Sequence, residues 1–254
     1  MAEYAVLMEK EGRIHVVQVT DEMVKYKGLG MLNSATLLDN VEVGEEVLVG
    51  QKYLTRMPAN LPELISGMAR RAQTISAKDA GVLIARLGIG SGSTVLEAGL
   101  GSGGLSLHLA RVLGNSGHLV TAEPRSEHAE VGLLNLTRAS FCFSEFPKHT
   151  HVEGMVEDVV PDMEYNAVIL DMPVHPPAIA ACAPKLVYGG RIACYAPTTS
   201  QLEKCWKSCE EAGLVVEWAG ELMEREWGTA SKGGMRPVNG PFGHTAFLLF
   251  AQKR

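Results

Sequence analysis

"VLEAGLGSGGLSLHLARVLG" occupies Val95–Gly114. An apolar, strand-like run breaks into glycines and then passes into a helix-like pattern. A strand, a glycine turn and a helix in that order bring bare backbone close to a ligand at a helix N-terminus. Gly99, Gly101 and Gly104 satisfy the spacing G-x-G-x-x-G. Which ligand the turn holds is decided by the residues around it.

Glu123 lies near the distance at which an acid reaches a ribose hydroxyl. By itself this fits a nicotinamide dinucleotide as well as S-adenosylmethionine. Three additions separate them. Glu97 precedes the glycines in E-x-G-x-G-x-G-G, where an acid suits the cationic end of S-adenosylmethionine and would sit poorly beside a pyrophosphate. "LVYGGRIACYAP" places a Gly-Gly turn before a fifth strand, as methyltransferases commonly do. "LVVEWAGELMERE" and "HTAFLLFAQKR" read as two closing strands with a loop and no helix between them, and too little chain remains for the half-sheet a dinucleotide enzyme needs. S-Adenosylmethionine is therefore the expected cofactor.

Outward from the turn, "TVLEAG", "HLVTAE", "THVEG", "NAVILD" and "RIACYAP" alternate with helical patterns, which implies a parallel sheet covered on both faces. The expected fold is α/β, a class I Rossmann-like methyltransferase with a seven-stranded sheet whose last strand is antiparallel. The first stretch differs: "YAVLME", "RIHVVQV" and "EEVLVG" are short β-type runs without a long helical pattern. The expected division is a small N-terminal β module at 1–60 and a methyltransferase domain at 61–254. Between them, "RMPANLPELISGMARRAQTISAKDAGVLIARLG" carries two helical stretches, with Ser76 and Asp79 as an imperfect capping box for the second.

The 254 residues are 46% hydrophobic, enough for a sizeable core. No apolar run is long enough to cross a membrane, and the N-terminus lacks the basic start and apolar stretch of a signal peptide. A soluble cytoplasmic protein is expected. The five cysteines form no CxxC pair, so they read as packed thiols rather than a zinc site. His149 and His151 alternate on one strand with no third ligand evident, so no metal is expected. A net charge of −6 argues against a nucleic-acid partner without excluding one, because charge can be segregated or pooled in an oligomer.

The fourth sheet strand ends in "AVILDMPVHPP", which puts Asp171 at the carboxyl edge beside the cofactor crevice. A carboxylate there can accept a hydrogen bond from an exocyclic amine. Adenine N1 already presents a lone pair, so methylation there needs alignment and stabilisation of the cation formed rather than a strong base.

Several segments together resemble the tRNA (adenine-N1)-methyltransferase family that modifies a T-loop adenine. These are "MARRAQTISAKDAGVLIARLGIGSGSTVLEAGLGSGG", "VILDMP", "YAPTTSQ" and "MRPVNGPFGHTAFLLFAQKR". The resemblance covers essentially the whole chain, and the last segment is its most specific part. It implies methyl transfer from S-adenosylmethionine to tRNA by a homotetramer. It implies that Gly99, Leu100, Gly101, Ser102, Gly103 and Gly104 wrap the methionine and ribose part of the cofactor, with Glu97, Glu123, His128 and Met155 also at the cofactor. Gln73 and Ile75 are implied to close over it. Asp171 is implied to touch the cofactor and to orient the target adenine as the catalytic acid. Tyr195, Thr198, Gln201 and His244 are implied to border the nucleotide pocket. Two departures stand out. Met155 occupies the place where the family often has an acid against the cofactor adenine, with Glu157 or Asp158 as substitutes after a loop shift. Ser76 stands where an aromatic or imidazole ring is common. Arg70, Arg71, Lys232 and Arg236 are candidates for phosphate contact. Two alternatives stay open: a non-catalytic tRNA-binding subunit, and a methyltransferase for another substrate.

Overall fold

The structure is a computed structural model that describes residues 3–229, 234–238 and 243–254. Six short strands come first: β1 (Glu3–Glu9), β2 (Ile14–Val19), β3 (Val24–Tyr26), β4 (Gly30–Leu32), β5 (Glu46–Val49) and β6 (Lys52–Met57), with the short helix α1 (Ser34–Leu37) after β4. Four of them form an antiparallel sheet in the order β2-β1-β6-β5, and β3 pairs with β4 as a hairpin. Ala5, Leu7, Val17, Val47, Val49 and Leu54 bury their side chains in a small core of their own.

Helices α2 (Leu61–Gly67) and α3 (Ala77–Leu87) connect this sheet to the larger one. Helix α3 forms because Ala80, Leu83 and Leu87 fall on one face and are buried, and it stops at Gly88, whose φ of 67° caps the carboxyl end. Its start departs from a capping box. Ser76 stands at the N-cap, but its hydroxyl lies 3.2 Å from the Asp79 carboxylate and caps no backbone N–H.

The large sheet is built from β7 (Thr94–Ala98), β8 (His118–Glu123), β9 (Lys148–Glu153), β10 (Tyr165–Leu170), β11 (Leu186–Ala196), β12 (Leu214–Gly220) and β15 (Phe247–Lys253). Helices α4 (Gly104–Leu113), α5 (Ser126–Cys142), α6 (Val156–Val159), α7 (Pro176–Cys182) and α8 (Thr199–Glu211) lie between the strands. The strand order is β12-β15-β11-β10-β7-β8-β9, and β15 runs antiparallel to both neighbours. The seven-stranded α/β expectation is met. The segment between β12 and β15 also holds a hairpin of β13 (Trp227–Thr229) and β14 (Met235–Pro237), which strands of three residues do not announce by periodicity. The central strands are apolar on both faces because helices cover both: Ala167, Val168, Ile169 and Leu170 are all fully buried.

The order of the strands positions the site. From β7 the chain goes outward to β8 and β9, then returns to the other side of β7 as β10. The sheet therefore reverses direction between β7 and β10, and a crevice opens at their carboxyl ends. Register aligns those ends: Ala98 faces Ala122 on one side and Leu170 on the other. Gly99, Glu123 and Asp171 follow in one row.

Candidate active site

The glycine turn is stitched to its neighbours by backbone. The Gly99 N–H donates to the Asp171 carbonyl at 3.0 Å, and the Leu100 N–H donates to the Ala122 carbonyl at 3.1 Å. Two positions require glycine for reasons visible in space. A Cβ at Gly99 would stand 3.1 Å from Glu123 Oε2, and one at Gly104 would stand 2.7 Å from Thr74 Cβ. The first keeps the turn open to the carboxylate. The second lets the segment before α3 lie over the start of α4.

Glu123 is fully buried at the end of β8. Its Oε2 accepts the Gly101 N–H at 2.9 Å, and its Oε1 accepts Arg125 Nε at 2.8 Å and the Arg125 N–H at 3.2 Å. Burial pushes its pKa up, but the hydrogen bonds from Arg125 and the backbone outweigh that and hold it below the usual carboxylate value. Glu97 is equally buried on β7 and has one partner, the Ser106 hydroxyl, which donates at 2.6 Å. Burial raises its pKa to about 8, with the Asp171 charge adding to the rise. Asp171 is raised to about 6, chiefly by burial, while His175 and Arg125 pull it down.

Between these ends lies a cavity of about 200 Å³. Ala98, Gly99, Glu123, Arg125, Gly154, Met155, Asp171, Met172 and Pro173 are among its walls. Its far end is apolar, with Met155 and Met172, and neither Glu157 nor Asp158 is in the lining. Glu157 instead acts electrostatically on Cys182 of α7 and leaves its Oε2 buried without a partner. His128 is not in the lining either; it sits in the first turn of α5 with its Nδ1 buried and unpaired.

Ser102 is buried, and its side chain faces the covering segment rather than the cavity. Its hydroxyl oxygen accepts the N–H groups of Arg71 and Ala72 at 3.0 and 2.9 Å and donates to the Ala72 carbonyl. Asn135 of α5 completes the stitch, donating to the carbonyls of Ala69 and Ser102. This fastens residues 69–75 across the turn, with Ile75 buried and Gln73 exposed. Leu100 is buried in the core, and Gly103 caps the start of α4 with φ of 78°.

On the other side of Asp171, Gln201 forms a capping box with Thr198 at the start of α8 and donates to the Pro173 carbonyl at 3.1 Å, which braces the loop after Asp171. Tyr195 donates to the buried Asp79, whose other oxygen accepts Lys78 Nζ at 2.7 Å; Lys78 also reaches Thr245. Both ring nitrogens of His244 are engaged, with Glu221 at 2.7 Å and the Pro197 carbonyl at 3.0 Å, and these acceptors raise its pKa. Its geometry is that of a clamp between two loops.

Four residues here were not among the expected site residues: Arg125, Asn135, His175 and Asp79, the last read only as half of a capping box. The first follows Glu123 by two positions and could have been suspected as its partner. The others come together only in the fold. Elsewhere, His149 and His151 share the Thr121 hydroxyl, and among the described residues no group of three His, Cys, Asp or Glu side chains can hold a metal ion. Four of the cysteines are buried, Cys142 is half-buried, and all are free thiols. Arg71 lies 3.9 Å from Glu127, Arg70 donates to the Ile65 carbonyl, and Lys232 lies outside the described residues. No helix among the described residues is long and apolar enough to cross a membrane.

The fold agrees with comparisons to known proteins. The chain is 27% identical to the tRNA (adenine(57)-N(1)/adenine(58)-N(1))-methyltransferase TrmI of Methanocaldococcus jannaschii, spanning 99% of this chain and 95% of that one. It is 28% identical to the tRNA (adenine(58)-N(1))-methyltransferase TrmI of Thermus thermophilus, spanning 96% and 94%. Among solved structures, an S-adenosylmethionine-dependent O-methyltransferase from Thermotoga maritima superposes with a TM-score of 0.79 at 25% identity, covering 99% of this chain and 92% of that one. The tRNA (m1A58) methyltransferase TrmI of Aquifex aeolicus superposes at 0.72 with 23% identity, covering 99% and 97%, a likeness of fold. Residues 55–233, from β6 through the glycine turn and Asp171 to the β13–β14 hairpin, match the family described as the tRNA methyltransferase complex GCD14 subunit, and the chain belongs to that family.

Proposed function

We propose that this protein transfers a methyl group from S-adenosylmethionine to N1 of a T-loop adenine in tRNA, at position 58 and, as in the M. jannaschii relative's name, at 57 as well. The observation that carries the reading is Asp171, a half-buried acid at the sheet's reversal point, bonded through its own carbonyl to the first glycine of the turn.

The residues present fit the cofactor. The bare Gly99 leaves Glu123 open to ribose hydroxyls, and Glu97 is a buried acid lacking a cation, which the cationic methionine end supplies. The apolar cavity by Met155 suits an adenine ring. When bound, S-adenosylmethionine supplies an electrophilic methyl group on a sulfonium. Gln73 and Ile75 cover it, held down by Ser102 and Asn135. His128, set behind the lining, supports the first turn of α5.

Asp171 accepts a hydrogen bond from the 6-amino group of the target adenine. That contact aims the N1 lone pair and, as methylation leaves positive charge on the ring, stabilises it. No base is required because N1 carries no proton to remove. Tyr195, Thr198, Gln201 and His244 border the space for the base, which leaves the folded T-arm to reach it. We further propose a small β module at 1–60, a methyltransferase domain at 61–254, a homotetramer, and a cytoplasmic place of work set by the substrate. Assembly is supported by Leu48 and Tyr53, a cross-strand pair at the edge of the small sheet with 50% and 63% exposure.

The test is incubation of the purified protein with unmodified tRNA and methyl-labelled S-adenosylmethionine, followed by digestion to nucleosides. Labelled N1-methyladenosine is the expected product. Cofactor binding without transfer to tRNA would leave the fold standing and remove the acceptor.

A further inference from the structure

Away from the catalytic crevice, the small β sheet, α2 and α5 enclose an open cleft of about 670 Å³. Arg13, Lys25, Lys27 and Arg138 line it, together with Tyr4 and Tyr26, and no aspartate or glutamate does. In a chain with a net charge of −6, four cations without a carboxylate wall are a segregation of charge. Among the described residues none of the four cations makes an ion pair. The carboxylate bonded to a lining residue, Glu9, is already shared between His15 and Lys52.

The fold builds this cluster. Arg13 leaves the β1–β2 turn and lays its guanidinium over the β3–β4 turn, 3.1 Å from where a Cβ at Gly28 would be. Lys25 and Lys27 come from that same hairpin. Arg138 projects from α5 and keeps its Nε buried without a hydrogen-bond partner. Burial lowers its pKa, and only tyrosines and a thiol are near enough to offset that. A buried guanidinium donor left unpaired in a cation-lined cleft marks a place for an external anion.

We propose that this cleft is a second tRNA contact, which holds phosphates of the backbone outside the T-loop while the target adenine occupies the crevice. The inference rests on the proposed function. Helix α5 connects the two places: it begins beside Arg125 at the crevice and reaches Arg138 thirteen residues later, about 20 Å along its axis. Tyr4 and Tyr26 offer rings beside the cations, a combination suited to nucleic acid.

The experiment compares the wild-type protein with the triple variant Arg13→Gln/Lys25→Gln/Lys27→Gln, all exposed positions, and separately with Arg138→Gln. Affinity for unmodified tRNA is measured across a salt series, alongside methylation kinetics, S-adenosylmethionine binding and sedimentation. The triple variant should bind tRNA about tenfold more weakly, with the slope of log affinity on log salt reduced by roughly two to three. Its KM for tRNA should rise while kcat and cofactor affinity hold, and Arg138→Gln should shift KM in the same direction. Unchanged affinity and slope in variants of a wild type that methylates tRNA would overturn this inference alone. A changed oligomeric state with unchanged tRNA binding per subunit would overturn it too and assign the cleft to a second copy of the chain. A wild type that binds cofactor but neither binds nor methylates tRNA would overturn the proposed function and this inference together.

Discussion

Glu97 and Glu123 end neighbouring strands of one sheet, are the same residue type and are both buried, yet they titrate in opposite directions. The region around β8 supplies Glu123 with its own counter-charge: Arg125 two residues on, and a backbone N–H from the glycine turn. Glu97 on β7 receives hydrogen bonds from Ser106 of α4 alone and no counter-charge. Burial sets the size of what must be compensated, and the partners set the sign. The acid on β8 is thus held toward its ionised form by groups of this chain alone. The acid on β7, which no cation compensates, is held toward its protonated form.

A third acid, the half-buried Asp171, sharpens the comparison because its pKa, about 6, lies between the two. The largest effect is expected here. Asp171→Ala should lower kcat for tRNA methylation about a hundredfold to a thousandfold, with cofactor affinity changed by no more than a few-fold. Rate and calorimetric binding measured on the same preparation separate the two quantities. The pH dependence follows in sign. Protonation removes the acceptor, so kcat/KM for tRNA should fall as pH drops through about 6 and level off above 7. A flat profile between pH 5 and 7 would remove Asp171 from its proposed role.

The next effect belongs to Glu123. Glu123→Ala should weaken S-adenosylmethionine binding by roughly 10- to 100-fold, since it removes a charged acceptor and leaves Arg125 and the Gly101 N–H unpaired. Glu97→Gln should weaken it by less, several-fold, because the amide still accepts from Ser106 and loses only the charge. The same substitution should act oppositely on stability. The folded pKa of about 8 lies above the ordinary glutamate value of 4.5, so the folded state holds a proton that the unfolded state releases. The resulting penalty is absent below pH 4.5 and grows as pH rises toward 8. Glu97→Gln should therefore stabilise the cofactor-free protein by about 1–3 kcal/mol at pH 8 and by little at pH 4.5. Denaturant midpoints at the two pH values decide it.

The contrast also shows what was legible in the chain. Glu97, the glycines, Glu123 and Asp171 lie at strand ends, and strand ends can be read from apolar runs broken by glycine or by "DMP". The α/β alternation and the two-strand finish were legible too, whereas the order in which the strands lie in the sheet came only with the fold. The β13–β14 hairpin was not legible, because three-residue strands carry no period. The supports were invisible for a different reason. Asn135 binds across 66 positions to Ala69, and Tyr195 across 116 to Asp79, so no local pattern holds them. Ser76 read as a cap because its residue type suits one, but the buried Asp79 claims its hydroxyl. His244 read as a pocket residue, and the fold shows its ring engaged by two acceptors.

The smallest effect is expected at the far end of the cavity, where the comparison of paired and unpaired acids meets a place with no acid. Met155 lines the apolar end at 36% exposure, and neither Glu157 nor Asp158 is in the lining. An aromatic amine bound there finds a thioether in place of an acceptor. Met155→Asp would offer one. A carboxylate accepting from an exocyclic amine contributes about 1 kcal/mol net, offset in part by the lost packing of methionine on the ring. Binding of S-adenosylmethionine should therefore tighten no more than a few-fold, while S-inosylhomocysteine, which lacks that amine, should gain nothing relative to S-adenosylhomocysteine. Equal gains for both ligands would mean that the new charge acts at long range, and that the adenine does not lie against Met155.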